Sequence, residues 1–281
     1  MKLKEYRTRF ISRLAEVYDI VEAESLFSIV LKELKGWGRV DLAMNPDVSL
    51  TTVEHQKWDL VLEQLLKQVP IQYIFGKAHF YGMEFEVSPS TLIPRPETEE
   101  LVEMVVHENR QKGKIKILDI GTGSGCIAVS LAKNLPTAQV FAIDVSAGAL
   151  EAAKRNAAHN SVEVTFWQED ILALKSLPTQ FDVIVSNPPY VRHVEKAEIK
   201  PNVLEHEPHL ALFVEDTDPL LFYRKIAGLG KSALNSNGRL YFEINQYLGN
   251  ETAALLEDLG YKNIALKKDL FGNYRMISCS V

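Results

Sequence analysis

A four-residue motif near the middle of the chain carries groups that can hold a planar amino group. The apolar stretch at residues 181–186 ends abruptly in Asn187, Pro188, Pro189 and Tyr190. Neither proline has an N–H to donate, and each biases the residue before it towards an extended conformation, so the turn is stiff and rich in acceptors. The Asn187 side-chain oxygen and the Asn187 and Pro188 carbonyls can accept both protons of an –NH2 group while the Tyr190 ring packs on its flat face. We predict that these four residues are catalytic and bind the substrate; the alternative is a turn that only ends a strand.

The position of this motif also favours a binding site. The apolar stretch before it is typical of a buried strand in a parallel sheet. Ligands of α/β sheets usually bind at the carboxyl ends of such strands. The motif is similar to the one in methyltransferases that act on planar nitrogens, which are the exocyclic amine of adenine or cytosine and the amide of glutamine. By itself it does not choose among these substrates.

A glycine-rich turn follows an earlier apolar stretch, at residues 115–118. Its glycines have the spacing G-x-G-x-G, whereas the dinucleotide fingerprint would need a glycine where this chain has Cys126. No P-loop motif occurs either, so a pyrophosphate-containing cofactor is disfavoured. The turn consists of Asp119, Ile120, Gly121, Thr122, Gly123, Ser124 and Gly125.

Two further strand ends carry acidic residues. Asp144 is placed to accept both hydroxyls of a ribose, and Asp170 can accept from an adenine amine with Ile171 against the ring. Asp119 can attract a cationic ligand, although an aspartate at a strand end is often only a helix cap. An adenosine site without phosphates, next to a negative charge, suits S-adenosylmethionine. The predicted cofactor-binding residues are Asp119, Gly121, Thr122, Gly123, Ser124, Gly125, Asp144, Asp170, Ile171 and Asn187.

Periodicity in the sequence predicts an α/β protein with a doubly wound, mostly parallel sheet. Residues 1–69 have helical spacing and form a predicted substrate-recognition domain, with a capping box at residues 51–54 and a helix ended by Gly36. The pattern at residues 70–93 predicts a β-hairpin linker. Residues 94–281 form the predicted catalytic domain, whose first helix is expected to start at Pro96. Seven strands are expected, at residues 115–118, 140–143, 162–167, 181–186, 239–244, 262–267 and 274–280.

Composition is that of an ordinary globular protein. The chain has 281 residues, 46% of them hydrophobic, and a net charge of −6. This charge disfavours unaided binding to long DNA, which usually requires a basic surface. Two cysteines form no disulfide framework, and there is no signal-peptide core or membrane-spanning apolar run. We therefore expect a cytoplasmic protein without membrane or direct nucleic-acid partners.

Two charged stretches leave alternatives open. Arg95, which lies between prolines, can pair with a neighbouring carboxylate or face the substrate. The sequence His206, Glu207, Pro208 and His209 has a composition that suggests zinc, but it misses the H-E-x-x-H spacing and Pro208 interrupts a helix. We therefore predict no metal site.

With these residues established, the chain resembles the release factor glutamine methyltransferases, the PrmC/HemK family, over nearly its whole length. The resemblance implies a class I S-adenosylmethionine-dependent methyltransferase fold, a helical N-terminal domain and a hairpin connector. It also implies methylation of the glutamine amide nitrogen (N5) in the Gly-Gly-Gln motif of class 1 peptide-chain release factors. The matching segments are residues 72–76 (Gln-Tyr-Ile-x-Gly), 92–99 (Leu-Ile-Pro-Arg-Pro-Glu-Thr-Glu), 119–125, 186–190 (Ser-Asn-Pro-Pro-Tyr), 207–208 (Glu-Pro), 238–244 (Gly-x-Leu-x-Phe-Glu-Ile) and 269–275 (Asp-Leu-x-Gly-x-x-Arg). Residues 214–219 depart from the family pattern, which more often has glycines there.

Three other functions compete with this one. A ribosomal-protein glutamine methyltransferase would use the same chemistry, although residues 95–99 favour the release-factor branch. A DNA adenine methyltransferase shares the Asn-Pro-Pro-Tyr turn but would flip a base and usually adds a target-recognition region. A non-catalytic binding module would not need the intact glycine turn. We expect a monomer with release factors as protein partners.

Overall fold

The structure, a computed structural model, describes all 281 residues. The chain forms two compact units. The first unit comprises residues 1–76 with residues 201–206, and the second comprises residues 77–200 with residues 207–281. The predicted domain boundaries at residues 69 and 93 remain a prediction. No helix has the length and apolar character needed to cross a membrane.

The first unit is built on helices whose apolar faces meet around aromatic side chains. Tyr6, Phe10, Phe27 and Trp58 are all buried. The Tyr6 and Trp58 ring centroids are 5.5 Å apart, edge to face, which is a favourable aromatic geometry. The helices from residues 1–76 are α1 (Leu3–Leu14), α2 (Ile20–Lys35), α3 (Arg39–Met44), α4 (Thr52–Leu66) and α5 (Ile71–Phe75).

Local signals set where these helices begin and end. Gly36 has a φ of 68° and ends α2, as predicted. The predicted capping box is also confirmed, since Thr51 Oγ1 accepts from the Glu54 N–H and the Glu54 carboxylate accepts from the Thr51 N–H. A hydrogen bond from Lys35, followed by those from Thr51, lowers the pKa of Glu54 to about 2. The start of α4 is therefore stabilised by an ionised side chain.

The structure differs from the predicted hairpin in residues 71–75, which form helix α5. Ile71, Ile74 and Phe75 have the spacing of one helical face and pack on the core of the first unit. Gly76, with a φ of 69°, ends this helix. Alternating aromatic and apolar residues suit a strand as well as a short buried helix, and packing decides between them. The hairpin itself is limited to the two strands that follow.

The second unit contains all the strands. Its predicted strand at 239–244 starts earlier, at Leu234, and the one at 162–167 starts later, at Thr165. Pro96 opens its helix, as predicted. The strands are β1 (Lys77–Phe80), β2 (Met83–Glu86), β3 (Lys116–Ile120), β4 (Gln139–Asp144), β5 (Thr165–Gln168), β6 (Phe181–Ser186), β7 (Val191–Arg192), β8 (Phe213–Val214), β9 (Leu234–Glu243), β10 (Lys262–Lys268) and β11 (Tyr274–Ser280). The remaining helices of the chain are α6 (Pro96–Asn109), α7 (Cys126–Asn134), α8 (Ala147–His159), α9 (Pro201–His206, part of the first unit), α10 (His209–Leu212), α11 (Leu221–Ala233) and α12 (Gly249–Asp258).

Seven strands form one sheet with helices on both faces. Its order is β10-β11-β9-β6-β3-β4-β5, in which β9, β6, β3, β4 and β5 run parallel and β11 runs antiparallel to both of its neighbours, β9 and β10. Successive residues of β6 point to opposite cores: Ile184 packs with α11 and α12, whereas Val183 and Val185 pack with α6 and α7. The predicted doubly wound, mostly parallel sheet is confirmed.

The register of the parallel strands aligns the predicted site. Ile120 on β3 is paired with Ile143 on β4 and with Ser186 on β6. Ser186 is in turn paired with Phe242 on β9. The residue that follows each of these four therefore lies at the same carboxyl edge of the sheet. These residues are Gly121, Asp144, Asn187 and Glu243.

Candidate functional site

A cavity of about 380 Å³ lies at this carboxyl edge. Its volume is in the range of small-molecule sites, and its position is the one at which open α/β sheets bind ligands. The structure brings together eight of the residues predicted from sequence as lining of this cavity. They are Gly121, Gly123, Asp144, Asp170, Ile171, Asn187, Pro188 and Pro189.

The glycine turn passes close to the Asn-Pro-Pro-Tyr turn and to helix α8. Gly121 has a φ of 75°, and its N–H donates to the Ile143 carbonyl over 2.9 Å. Gly125 has a φ of 81°, and a Cβ placed on it would lie 3.0 Å from the Ala153 Cβ. Both positions therefore favour glycine for conformational reasons, and Gly125 also for packing. Thr122, Ser124 and Gly125 shape the turn without lining the cavity.

Asp119 is a buried carboxyl behind the glycine turn rather than part of the cavity lining. The Thr122 hydroxyl donates to its Oδ2 over 2.6 Å, while its Oδ1 has no hydrogen-bond partner. Burial, opposed by the Thr122 hydrogen bond, raises the pKa of Asp119 to about 7. A buried carboxyl with a spare acceptor favours a cationic ligand nearby, because a positive charge would stabilise its ionised form.

Asp144 is held by the backbone at the end of β4. Its Oδ2 accepts from the Gly123 N–H over 2.8 Å and its Oδ1 from the Ser146 N–H over 2.9 Å. Burial raises its pKa, and these backbone hydrogen bonds oppose the shift. Each carboxylate oxygen has a second lone pair, so the fixed Asp144 can also accept from two ligand hydroxyls. This arrangement fits a ribose.

The far side of the cavity is largely apolar. Ile171 is buried, whereas Asp170 is exposed and its Oδ1 accepts from the Leu172 N–H over 2.9 Å. Phe222 and Ile226 on α11 add apolar surface. The Asp170 carboxylate beside these apolar side chains suits a flat heteroaromatic ring that carries an amino group.

The Asn-Pro-Pro-Tyr turn is anchored by both of its non-proline side chains. The Asn187 Nδ2 donates to the Thr98 Oγ1 over 3.2 Å. The Tyr190 hydroxyl donates to the Glu243 Oε1 over 3.0 Å, and the Tyr190 ring packs against the core that contains α11. Burial, reinforced by the Glu243 charge, raises the pKa of Tyr190, so the phenol stays protonated. Tyr190 itself does not line the cavity.

Glu243 and Thr98 join these anchors, and neither was singled out from the sequence for a role of its own. The Thr98 hydroxyl donates to the Glu243 Oε2 over 2.6 Å, and both side chains are buried. Burial raises the pKa of Glu243, against the effect of the hydrogen bonds from Thr98 and Tyr190. An acidic residue at the carboxyl end of an apolar strand was the available signal, because Asp144 occupies the equivalent position, the last residue of β4.

Arg95 pairs with a carboxylate. Its Nη2 lies 2.6 Å from the Glu207 Oε1, and the Glu207 side chain is 1% exposed. The Glu207 Oε2 also accepts from the Ile93 N–H over 3.1 Å. Of the two alternatives from the sequence, the structure shows the ion pair, and a substrate contact by Arg95 remains a prediction. No group of three or more His, Cys, Asp or Glu side chains is arranged to hold a metal ion.

The loop after the hairpin also lines the cavity, and the sequence did not indicate it. Ser90, Thr91 and Leu92 contribute to its wall. The Ser90 Oγ would lie 3.1 Å from a Cβ added at Gly148, so this loop packs against the start of α8. Such a contact between distant segments has no local sequence signal.

Comparisons with known proteins agree with this geometry. The model of the methyltransferase small domain family matches residues 97–210, and that of the PrmC N-terminal domain family matches residues 5–76. The 16S rRNA N2 G1207 methyltransferase of T. thermophilus, solved in complex with AdoMet and guanosine, has a TM-score of 0.54 at 19% identity, over 73% of this chain and 49% of that chain. That similarity shows a shared methyltransferase fold.

Two relatives extend the comparison over the whole chain. The release factor glutamine methyltransferase of Flavobacterium psychrophilum is 57% identical over 99% of this chain and 98% of that protein. The enzyme of the same name from Bacteroides thetaiotaomicron is 44% identical over 95% of this chain and 96% of that protein. Both alignments include the glycine turn and the Asn-Pro-Pro-Tyr turn within their span. The chain therefore belongs to the release factor glutamine methyltransferase family and is an S-adenosylmethionine-dependent methyltransferase.

Proposed function

We propose that this protein transfers a methyl group from S-adenosylmethionine to the side-chain amide nitrogen (N5) of the glutamine in the Gly-Gly-Gln motif of class 1 peptide-chain release factors. The bond between sulfur and the methyl carbon breaks as the bond between nitrogen and that carbon forms, S-adenosylhomocysteine leaves, and the methylated nitrogen, made acidic by the transfer, loses one proton. One observation supports this most directly: Asn187, Pro188 and Pro189 line the same cavity as Gly121 and Asp144. The groups suited to an amide and the groups suited to the cofactor thus share one site.

The cofactor, when bound, supplies an electrophilic methyl group. Asp144 would hold its ribose hydroxyls, and Asp170 would accept from its adenine amine with Ile171 against the ring. Asp119, behind the glycine turn, would favour its positive charges. The backbone hydrogen bonds to Asp144 fix this carboxylate before the ligand arrives, which lowers the entropy lost on binding.

The amide nitrogen of glutamine is a poor nucleophile because its lone pair is delocalised, as the rotation barrier of about 18–20 kcal/mol indicates. Asn187 Oδ1 and the Pro188 carbonyl would accept its two N–H groups and direct the nitrogen towards the methyl group. Packing of Tyr190 against the amide plane remains a prediction, because its ring contacts the core and its hydroxyl is fixed on Glu243. Positioning is then the main source of rate enhancement.

The partner in this proposal is a folded protein rather than a nucleic acid or a membrane. The names of the relatives support a release factor as the substrate. The net charge of −6 provides no broad electrostatic attraction to phosphates. We propose that the protein acts as a cytoplasmic monomer, which sedimentation of the purified protein alone would check.

The test uses labelled S-adenosylmethionine and four acceptors. They are a class 1 release factor, the same factor with the Gly-Gly-Gln glutamine changed to alanine, ribosomal proteins, and duplex DNA. Label on the intact factor alone is the expected result. Label on the alanine variant would contradict methylation of the Gly-Gly-Gln glutamine. Label only on ribosomal proteins would favour a ribosomal-protein glutamine methyltransferase, and label only on DNA would favour a DNA adenine methyltransferase.

A further inference from the structure

We propose that Glu243 is a positioning residue: acting through Thr98, it fixes the side-chain amide of Asn187 so that the oxygen of that amide faces the substrate. This inference rests on the proposed function, because it concerns how the site holds the –NH2 group of glutamine. Glu243 does not line the cavity, so it would act without touching the substrate. Its effect is carried by two hydrogen bonds in series.

The carboxylate is the common anchor of the Asn-Pro-Pro-Tyr turn. Glu243 is 1% exposed and is the last residue of β9, next to Phe242, which is paired with Ser186, the residue before Asn187. The Thr98 hydroxyl, in the first turn of α6, donates to its Oε2 over 2.6 Å. The Tyr190 hydroxyl donates to its Oε1 over 3.0 Å. One side chain thus holds both ends of the turn.

The direction of these hydrogen bonds follows from the number of protons available. Burial disfavours the ionised form of Glu243, but the hydrogen bonds from Thr98 and Tyr190 and the charge of Arg275 favour it. In that form the carboxylate only accepts, so the Thr98 hydroxyl uses its single proton on Glu243. Towards Asn187 the Thr98 oxygen can then only accept. The Asn187 Nδ2, 3.2 Å away, must therefore be the atom that faces Thr98. The Asn187 Oδ1 consequently points away from Thr98.

This orientation matters because a glutamine amide presents two N–H donors to the enzyme. An acceptor oxygen pairs with them, whereas a rotated Asn187 amide would place its own N–H groups against them. If the Glu243 charge is removed, the Thr98 hydroxyl is free to donate to the Asn187 Oδ1, and the unproductive orientation becomes available. Glu243 therefore selects one of two amide orientations that differ little in shape.

A purely structural role does not explain a carboxylate at this position. Burying an ionised group is unfavourable, and neutral residues of similar volume often serve stability as well or better. Arg275 partly offsets the charge, since it favours the ionised form of Glu243. A role in the reaction accounts for an ionised group whose burial stability alone would not favour.

Thr98→Val tests the relay with almost no change in shape. We expect kcat for methylation of the release factor to fall by between about 10- and 100-fold, as for other small misplacements of a reacting group, with the KM for S-adenosylmethionine nearly unchanged. Thr98→Ser keeps the hydroxyl and should restore kcat. Thr252→Val is the matched control, because Thr252 in α12 is also buried but its hydroxyl donates only to the carbonyl of Leu248, the residue before α12. Glu243→Gln should lower kcat like Thr98→Val without lowering the melting temperature.

A second measurement reads the orientation directly and does not depend on the substrate. In NMR spectra, the side-chain NH2 protons of Asn187, assigned by their loss in Asn187→Ala, should exchange slowly with solvent in wild type and Thr98→Ser. They should exchange faster in Thr98→Val and Glu243→Gln. Equal exchange and equal kcat in all these variants would overturn the proposal. Altered exchange in a protein that does not methylate release factors would support the relay and contradict the proposed function instead.

Discussion

Asn187 contributes an uncharged oxygen to the proposed site, and no proton of its side chain titrates in the working range of an enzyme. Its contribution to the rate therefore depends on the position of that oxygen relative to the amide of the substrate. Thr98 on one side and the stiff Pro188 on the other restrict this position. Asn187 therefore brings no pH dependence of its own to the site, unlike Asp119, whose pKa burial raises to about 7.

Removing the Asn187 side chain should affect turnover strongly. We expect Asn187→Ala to lower kcat by roughly 10²–10³, by analogy with the loss of one oriented polar group elsewhere. Single-turnover methylation of a release factor at saturating S-adenosylmethionine would measure this effect. Turnover close to that of the wild type would contradict the assignment of Asn187.

Asp119 should make cofactor binding depend on pH. Its pKa is raised by burial to about 7, and a bound cation would lower it, so binding releases a proton whenever Asp119 starts protonated. Affinity should therefore rise as pH increases from 5.5 towards 7 and level off above, by at most about tenfold per pH unit. Calorimetric titration with S-adenosylmethionine across this range would measure the trend.

Asp119→Asn is the control for this pH dependence. The asparagine has no titrating proton, so the affinity of Asp119→Asn for the cofactor should be lower and should lack the pH dependence that Asp119 contributes. The titration of the ligand's own amino group affects both proteins equally and cancels in the comparison. A wild-type curve parallel to that of Asp119→Asn would show that Asp119 does not sense the cofactor.

At the scale of elements, the cavity depends on how closely helices α7 and α8 approach each other. Gly125 immediately precedes α7, and a Cβ there would lie 3.0 Å from the Ala153 Cβ and 3.2 Å from the Ala153 Cα on α8. Distances this short require one helix to shift, because a methyl side chain on a helix cannot bend away. Any shift would move the glycine turn that lines the cavity.

Gly125→Ala should therefore destabilise the protein. The left-handed backbone, with a φ of 81°, costs an alanine about 1–2 kcal/mol, and overpacking typically costs about 1–3 kcal/mol more. Denaturant unfolding would measure the change in the free energy of unfolding. Gly228→Ala on α11 is the control, since a Cβ there meets nothing within 4 Å and should stabilise the helix by about 0.5–1 kcal/mol. A Gly125→Ala protein as stable as wild type would contradict the packing argument.

The sequence predicted the elements whose signals are local. Asp144 and Asn187 could be assigned to one edge because each follows an apolar strand of a parallel sheet, and the register then aligned them. Thr98 and Glu243 could not be joined in the same way, because a buried hydrogen bond between distant segments depends on how α6 and β9 pack. Helix α5 was missed for a similar reason, since burial rather than sequence periodicity determined its form.

At the scale of the whole molecule, the charge of the chain bears on its partners. Most protein–DNA binding is driven by counterions that are released when basic side chains neutralise phosphates. A net charge of −6 disfavours such contacts. We therefore expect no saturable binding to duplex DNA at physiological salt, measured by fluorescence anisotropy of a labelled duplex. Saturable binding under those conditions would favour the DNA adenine methyltransferase alternative.

The most direct test identifies the atom that receives the methyl group. A class 1 release factor would be incubated with the protein and S-adenosylmethionine, digested, and analysed by tandem mass spectrometry. The proposed function predicts the mass increase of one methyl group, located on the glutamine side chain of the Gly-Gly-Gln peptide. With Asn187→Ala, a much smaller fraction of that peptide should be methylated after the same incubation time. A methyl group on any other residue, or none on a factor incubated with cofactor-bound wild type, would contradict it.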